Sequence, residues 1–386
     1  MKYFYVCSEC AKHFDITPDL MVCPECSQVQ RDDEPLRGVL EVAFEGVLPR
    51  DFDPLDFLPV ERRYFPPIPV GNTPLWSPQR LREKYGFPNL FLKDDTANPT
   101  GSLKDRASYL VAAFARKHQI QNIVLASTGN AGSSMAGVGA AANLNVTLFL
   151  PKSAPPAKMI QALQYGANLI RVDGNYDLAY DQSMAYSREK GGLSRNTAYN
   201  PLTIEGKKTV ALEIFRQLQQ TQQTPDYVFV SVGDGVILGG VYKGFRDLVK
   251  AGLLEKVPTI YAVQAEGSSA IFRAVQNQGP FGTPVSSTTL ADSISVDIPR
   301  NGYYACKQIL EHQGRSLLVS DEQIIQAQKE LATESGLFAE PAGATAFAGF
   351  LKARTDLPAD ASVVLLITGN GLKDIASAMK GIVVPE

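Results

Sequence analysis

The sequence predicts an α/β protein whose parallel sheets are covered by helices on both faces. From about residue 90 onward, short β-branched runs alternate with longer helical stretches, and that alternation builds parallel sheets. Glycine-rich segments fall at the ends of three of those strands, the place where open α/β sheets bind ligands. With 386 residues, 45% of them hydrophobic and 20% charged, the chain is an ordinary globular one. At about 100–200 residues per domain it is expected to form two to three domains.

The elements follow in order. Residues 1–35 form a first unit that ends near Arg31-Asp32-Asp33-Glu34-Pro35. A connector with Pro49, Pro54, Pro59, Pro66, Pro67, Pro69 and Pro74 reads as extended chain and short turns over the surface. The spacing then predicts strand 123–125 and helix 131–142, strand 146–150 and helix 156–165, and strand 169–172 and helix 176–190. Further on it predicts strand 227–232, helix 236–251, strand 260–264, helix 321–335, strand 363–367 and a closing helix after Gly371. The expected division is residues 1–35, a connector 36–90 that begins the larger fold, a smaller α/β domain 91–195 and a larger one 196–386.

Some classes of function are disfavoured at once. A net charge of −3 gives no general attraction to nucleic acid. The stretch from Val124 to Leu150 is broken by Asn130, Asn143 and Asn145, so it reads as buried core and not as a membrane span. The start of the chain carries no apolar run of signal-peptide length, and a cytoplasmic location is expected.

Four of the five cysteines crowd into two pairs, Cys7-x2-Cys10 and Cys23-x2-Cys26, with 12 residues between them. Two such knuckles suit a tetrahedral four-thiolate zinc ribbon. Four thiolates leave no open position, so the zinc would be structural. The ribbon's own residues carry Lys2, Lys12 and Arg31 against Glu9, Asp15, Asp19, Glu25, Asp32, Asp33 and Glu34, a balance that repels phosphate backbones. His13 reads as a surface side chain, and Cys306 as core.

The chemistry-bearing segments lie elsewhere. In Asn98-Pro99-Thr100-Gly101-Ser102-Leu103-Lys104-Asp105-Arg106, Pro and Gly make a turn, Ser102 is a candidate helix N-cap, and Lys104 falls in the first helical turn. A lone lysine is ordinarily a solvated side chain. At a helix N-terminus, however, the dipole disfavours its charge, which suits an amine used as a nucleophile. Gly233-Asp234-Gly235-Val236-Ile237 opens a helix and offers backbone N–H groups to a phosphate, with Asp234 having to point away. Ser127-Thr128-Gly129-Asn130 offers hydroxyls, an amide and N–H groups to a carboxylate or a phenolic oxygen. Thr368 ends the last strand with a hydroxyl.

Taken together and in order, these segments resemble the motifs of fold-type II pyridoxal-phosphate enzymes, and among them those of threonine synthases. Pro99–Arg106 is similar to the Schiff-base motif, Ser127–Asn130 to the S-T-G-N loop, and Asn200-Pro201…Ile204-Glu205-Gly206-Lys207-Lys208-Thr209 to an N-P…I-E-G-Q-K-T segment. Val232–Phe245 resembles the phosphate loop, Glu340–Ala344 an E-P-A-x-A motif, and Thr368–Asp374 a T-G-H-G-L-K-D ending. The resemblance implies a tryptophan synthase beta-like fold with two doubly wound domains, with the pyridoxal phosphate held mainly in residues 196–386, plus the N-terminal ribbon that some threonine synthases carry. It implies that Lys104 carries the cofactor covalently and shuttles protons, and that Asn130 meets its 3′-oxygen. Gly233, Asp234, Gly235, Val236 and Ile237 would hold its phosphate, Thr368 its pyridine nitrogen, and Ser127, Thr128 and Gly129 the substrate carboxylate. A homodimer is expected on the same ground.

The sequence departs from the family where the substrate's phosphate is concerned. Thr203 stands where arginine is common, and Ser293–Pro299 replaces an arginine-bearing stretch, with Ser295 in it. Asn370 replaces a histidine. Lys207, Lys208, Arg300 and Arg106 are candidate substitutes, since a cation would still be needed there. The first expectation is the conversion of O-phospho-L-homoserine and water to L-threonine and phosphate. The alternatives are a serine or threonine ammonia-lyase, a cysteate synthase-like β-replacement enzyme, and an idle paralogue serving as a ribbon interaction protein.

Overall fold

The computed structural model describes residues 1–382 apart from positions 48, 128, 153, 155 and 175. The chain divides into two compact units. One comprises Met1–Gln30, Leu36–Gly71 and Asn98–Thr209, the other Arg31–Pro35, Asn72–Ala97 and Val210–Glu386.

The first unit holds two sheets. Its four-stranded sheet has the order Asn168–Val172, Asn145–Pro151, Asn122–Ala126, Leu193–Ser194, all pairs parallel. Helices Lys104–Lys117, Asn130–Ala141, Pro156–Gln164 and Tyr176–Lys190 belong to the same unit. Apart from the first helix and strand Leu193–Ser194, which the spacing did not predict, these strands and helices match the predicted ones to within a residue or so, because Val, Ile and Leu runs marked the strands.

The smaller sheet is antiparallel and places His13–Phe14, Lys2–Cys7 and Leu40–Glu45 side by side, with Tyr5 opposite Val42 and Cys7 opposite Leu40. Its third strand lies beyond residue 35, inside the stretch expected to be connector. Leu40, Val42 and Phe44 alternate inward, as a half-buried strand requires. The proline-rich stretch also differs from the expected surface wrap. Short 3-10 turns at Pro54–Phe57 and Arg62–Tyr64 turn Phe52, Phe57, Leu58 and Val60 inward, and all four are buried.

The second unit is built on a six-stranded sheet in the order Arg315–Val319, Thr259–Ala265, Tyr227–Ser231, Val363–Ile367, Leu90–Asp94, Leu75–Trp76. Every pair is parallel except the last. Leu90–Asp94 is an inner strand that carries a fully buried lysine. Lys93 donates to Glu213 (2.7 Å), Gln217 (2.9 Å) and the Thr73 carbonyl (2.7 Å). A buried cation is tolerated only with such partners.

Within the first unit, helix Leu202–Lys207 packs on the helix that begins at Lys104. A Cβ on Gly206 would stand 2.9 Å from the Ala107 Cα and nearer still to the Arg106 carbonyl oxygen. Only glycine permits that approach. Gly206→Ala is therefore expected to cost roughly 1–3 kcal/mol and to displace the turn that carries Lys104. A urea midpoint and a turnover number both equal to wild type would contradict this packing. Among the described residues, no helix is long and apolar enough to cross a membrane.

Candidate active site and metal centre

The lysine-bearing turn belongs to the first unit. Gly101 adopts φ +82°, and its N–H donates to the Asn98 carbonyl (2.8 Å). The Asp105 carboxylate, fully buried, accepts from the Thr100 N–H (2.8 Å) and the Thr100 hydroxyl (2.5 Å). This clamp fixes the loop against the first turn of helix Lys104–Lys117. The sequence suggested Ser102 as its cap; instead Leu103 is the N-cap residue and makes no side-chain cap bond. The Ser102 Oγ is buried and has no hydrogen-bond partner among the described residues. Leaving a hydroxyl in that state costs about 1–3 kcal/mol, which a partner bound there would relieve. Lys104 is half-exposed, while residues 102, 103 and 105 to 108 around it are buried. The turn thus opens to solvent at Lys104.

Ser127 and Gly129 precede helix Asn130–Ala141. The Ser127 Oγ accepts from the Gly132 N–H (3.0 Å) and the Gly129 N–H (3.3 Å), so it orders the helix start. Its own O–H remains a donor. A Cβ on Gly129 would meet nothing within 4 Å, so the loop faces open space there. Thr128 lies outside the described residues. The Ser108 hydroxyl, one turn past Lys104, lies 2.7 Å from that of Ser134, one turn past Asn130. The structure therefore brings the starts of these two helices near each other, and Lys104 and Asn130 with them.

In the second unit, Gly233–Ile237 follows strand Tyr227–Ser231 and opens helix Val236–Lys250. Gly235 needs its φ of +86°, and a Cβ there would press to 2.9 Å from that of Ala305. The Asp234 carboxylate accepts from the Val236 N–H (3.0 Å) at the start of the helix. Val236 is thereby engaged inside the loop. The other first-turn N–H groups of the helix point away from any intrahelical acceptor.

Thr368 is buried at the end of strand Val363–Ile367, which pairs directly with Tyr227–Ser231. Both segments thus sit on one carboxyl edge of the sheet. Sequence reasoning gave no role to Glu340, although it marked the motif around it. Its buried carboxylate accepts from the Ser293 hydroxyl (3.2 Å), and its N–H donates to the Gly369 carbonyl (2.9 Å). A Cβ on Gly369 would fall on that carboxylate, 2.6 Å from its Cδ. Glu340 therefore sets the turn after Thr368. Asn370 caps the next helical turn through the Leu372 N–H (2.9 Å), which accounts for a residue with a short acceptor at this place.

The positions without arginine are also clear. Thr203 is fully buried; its hydroxyl donates to the Asn200 carbonyl (2.7 Å) and accepts from the Ala198 N–H (3.2 Å). The Ser295 hydroxyl donates to that of Ser287 (2.7 Å). Of the candidate substitutes, Lys208 pairs with Glu205 at 2.5 Å and Arg106 donates to the Thr209 hydroxyl (3.0 Å). Lys207 is fully buried and Arg300 half-buried.

The four N-terminal cysteines converge, their Sγ atoms all within 4.8 Å of one another. Cys7 and Cys26 are 3.8 Å apart, Cys10 and Cys23 3.7 Å. Zinc–sulfur bonds of about 2.3 Å in a regular tetrahedron give edges of about 3.8 Å, so the donor set fits zinc. The Glu9 N–H donates to the Cys7 Sγ (3.5 Å), as a thiolate site needs. Within the first unit, the buried Ser102 hydroxyl and the open side of Gly129 could take a bound group such as pyridoxal phosphate; considered by itself, the helix start at Gly235 in the second unit suits a phosphate.

A model of the family described as pyridoxal-phosphate dependent enzyme matches residues 68–369. The threonine synthase of Methanocaldococcus jannaschii is 32% identical over 385 residues, covering 97% of this chain and 94% of its own. That of Halalkalibacterium halodurans is 35% identical over 332 residues, covering 85% and 90%. Among solved structures, threonine deaminase isoform 2 of Solanum lycopersicum aligns with a TM-score of 0.71 at 21% identity, covering 85% of this chain and 90% of that one. Maize serine racemase aligns with a TM-score of 0.70 at 21% identity, covering 81% and 92%. These two likenesses speak for the fold, which is fold-type II. The chain belongs to the pyridoxal-phosphate dependent enzymes and, within them, to the threonine synthase family of lyases.

Proposed function

We propose that the protein converts O-phospho-L-homoserine and water to L-threonine and phosphate. The observation that carries this reading is Lys104, half-open in a clamped and otherwise buried turn, within a chain that is similar to threonine synthases along nearly its whole length. Pyridoxal phosphate, when bound, supplies an electron sink for carbanions at the amino-acid carbons. Lys104 would hold it through the side-chain amine and move protons at those carbons. Gly233, Asp234, Gly235 and Ile237 would hold its phosphate through backbone N–H groups, beside a Val236 already engaged. Asn130 would donate to the ring oxygen and Thr368 to the ring nitrogen, a neutral and mild partner. Ser127, Thr128 and Gly129 would take the substrate carboxylate. Cys7, Cys10, Cys23 and Cys26 would bind a structural zinc ion. A homodimer in the cytoplasm completes the proposal, as does a division of labour between residues 91–195 and a cofactor-binding 196–386.

A second reading rests on Thr203 and Ser295, whose hydroxyls are committed to neighbouring groups. It makes the enzyme a serine or threonine ammonia-lyase or a β-replacement enzyme. An end-point assay of purified, cofactor-loaded protein with O-phospho-L-homoserine separates the two. Equal amounts of threonine and phosphate are expected. Their absence, together with 2-oxobutyrate or pyruvate formed from hydroxyamino acids, would establish the lyase instead.

A further inference from the structure

The cysteine cluster and Lys104 are joined, inside the first unit, by a run of buried contacts. Cys7 and Cys23 belong to the same hydrophobic core as Leu110–Ala115 of the lysine-bearing helix. Two residues before Cys7 on the same strand, Tyr5 is buried and sits opposite Val42 of strand Leu40–Glu45. On the neighbouring strand, Phe44 meets the edge of Phe57 with ring centroids 6.0 Å apart. The Lys208 Nζ lies 5.7 Å from the centroid of Phe57. Glu205 and Lys208 pair at 2.5 Å and are both all but fully buried. Helix Leu202–Lys207, which carries Glu205, packs on strand Leu40–Glu45 on one side. On the other, Gly206 presses against the backbone of Arg106 and Ala107, within one turn of Lys104.

An ion pair at this place does more than fill space. Breaking a buried pair by removing one partner leaves an uncompensated buried charge, so the Glu205–Lys208 pair resists displacement of the helix that carries Glu205. A metal shared by the four sulfurs would fix the ribbon sheet in turn, tying Cys7 and Cys10 to Cys23 and Cys26. The two constraints act in series on one small helix.

We propose that Glu205 and Lys208 are positioning residues through which occupancy of the cysteine site sets the placement of Lys104. The proposal rests on the functional reading above only in taking Lys104 as the cofactor's lysine. Metal bound to the cysteines keeps the ribbon sheet, helix Leu202–Lys207 and the lysine turn in one arrangement. Its loss lets the turn shift and weakens the hold on pyridoxal phosphate while leaving the second unit's phosphate loop as it is.

The test uses the full-length protein loaded with cofactor, with metal content measured on every sample. Cofactor affinity is read by titrating the visible absorbance gained when pyridoxal phosphate bonds to Lys104, a readout that needs no substrate. Stripping the metal with a chelator, under conditions where the thermal midpoint stays above the assay temperature, should weaken cofactor binding at least about fivefold. Glu205→Gln with full metal content should do the same. Stripping that variant should add little, because effects on one path do not multiply, unlike those of independent sites. Should stripping unfold the protein, Glu205→Gln and Lys208→Gln at full metal content decide the matter, and each must weaken binding. Unchanged affinity in either variant, or effects that multiply, overturns the proposal. A wild-type protein that never acquires the absorbance refutes the functional reading instead.

Discussion

Alanine at position 104 should leave turnover about a thousandfold or more below wild type, with the fold intact. A positioned acid–base group alone contributes about 10²–10⁴-fold, and Lys104 is assigned the covalent hold on the cofactor as well. Stability should barely change. Lys104 is half-exposed, and its turn is kept by the Thr100–Asp105 clamp and by the buried residues around it. A surface truncation of this kind typically stays within about 0.5 kcal/mol. Phosphate release from O-phospho-L-homoserine and a thermal midpoint are the two measurements. Turnover near that of wild type would remove Lys104 from the chemistry.

Replacing Cys23 with alanine should lower the metal content to less than roughly a tenth and the stability of the first unit by several kcal/mol. Structural zinc binds zinc-finger peptides with about 10–16 kcal/mol, and three remaining thiols cannot close a tetrahedron. Cys23 is fully buried in the core that also holds the lysine-bearing helix, so the damage is not confined to the ribbon. Cys306→Ala supplies the contrast. Burial pushes that thiol up to about 12, far from any metal-binding thiolate, and its loss should cost only a small cavity. One metal per chain and an unshifted urea midpoint in the Cys23 variant would show that the cluster does not hold the ion.

What the sequence made legible depended on how local the signal was. Strands such as Asn122–Ala126 and Tyr227–Ser231 announce themselves through β-branched runs that end at glycine turns. Strand Leu90–Asp94 does not, because Lys93 and Asp94 break its apolar pattern, and the Glu213 that neutralises Lys93 lies far along the chain. Helix Pro341–Ala353 is buried on every side from Pro341 to Phe350, so it has no amphipathic period to read there. Leu40–Glu45 does alternate in period two, but the prolines after it drew the reading toward a connector.

The candidate site shows the same division. Lys104, Gly235 and Thr368 sit in short motifs that are weak one by one and are marked by their resemblance, together and in order, to those of a known family. The clamp by Asp105, the unspent hydroxyl of Ser102 and the seat of Glu340 against Gly369 depend on packing, and spacing cannot reveal packing. Gly206 is intermediate: its motif was visible, but the backbone that presses on it was not.

The way the chain is shared between the two units bears on how it can be made. The first unit has its last residue in place at Thr209, whereas the second draws on Asn72–Ala97 and then needs everything after Val210. Strand Leu90–Asp94, though early, must wait for Val363–Ile367 before its inner edge is paired. At about 5–20 residues per second of synthesis, that edge is exposed on the ribosome for some tens of seconds. Neither unit can be released as a continuous fragment by cutting at a single linker, and a chain stopped shortly after Thr209 would present a sticky, half-finished sheet.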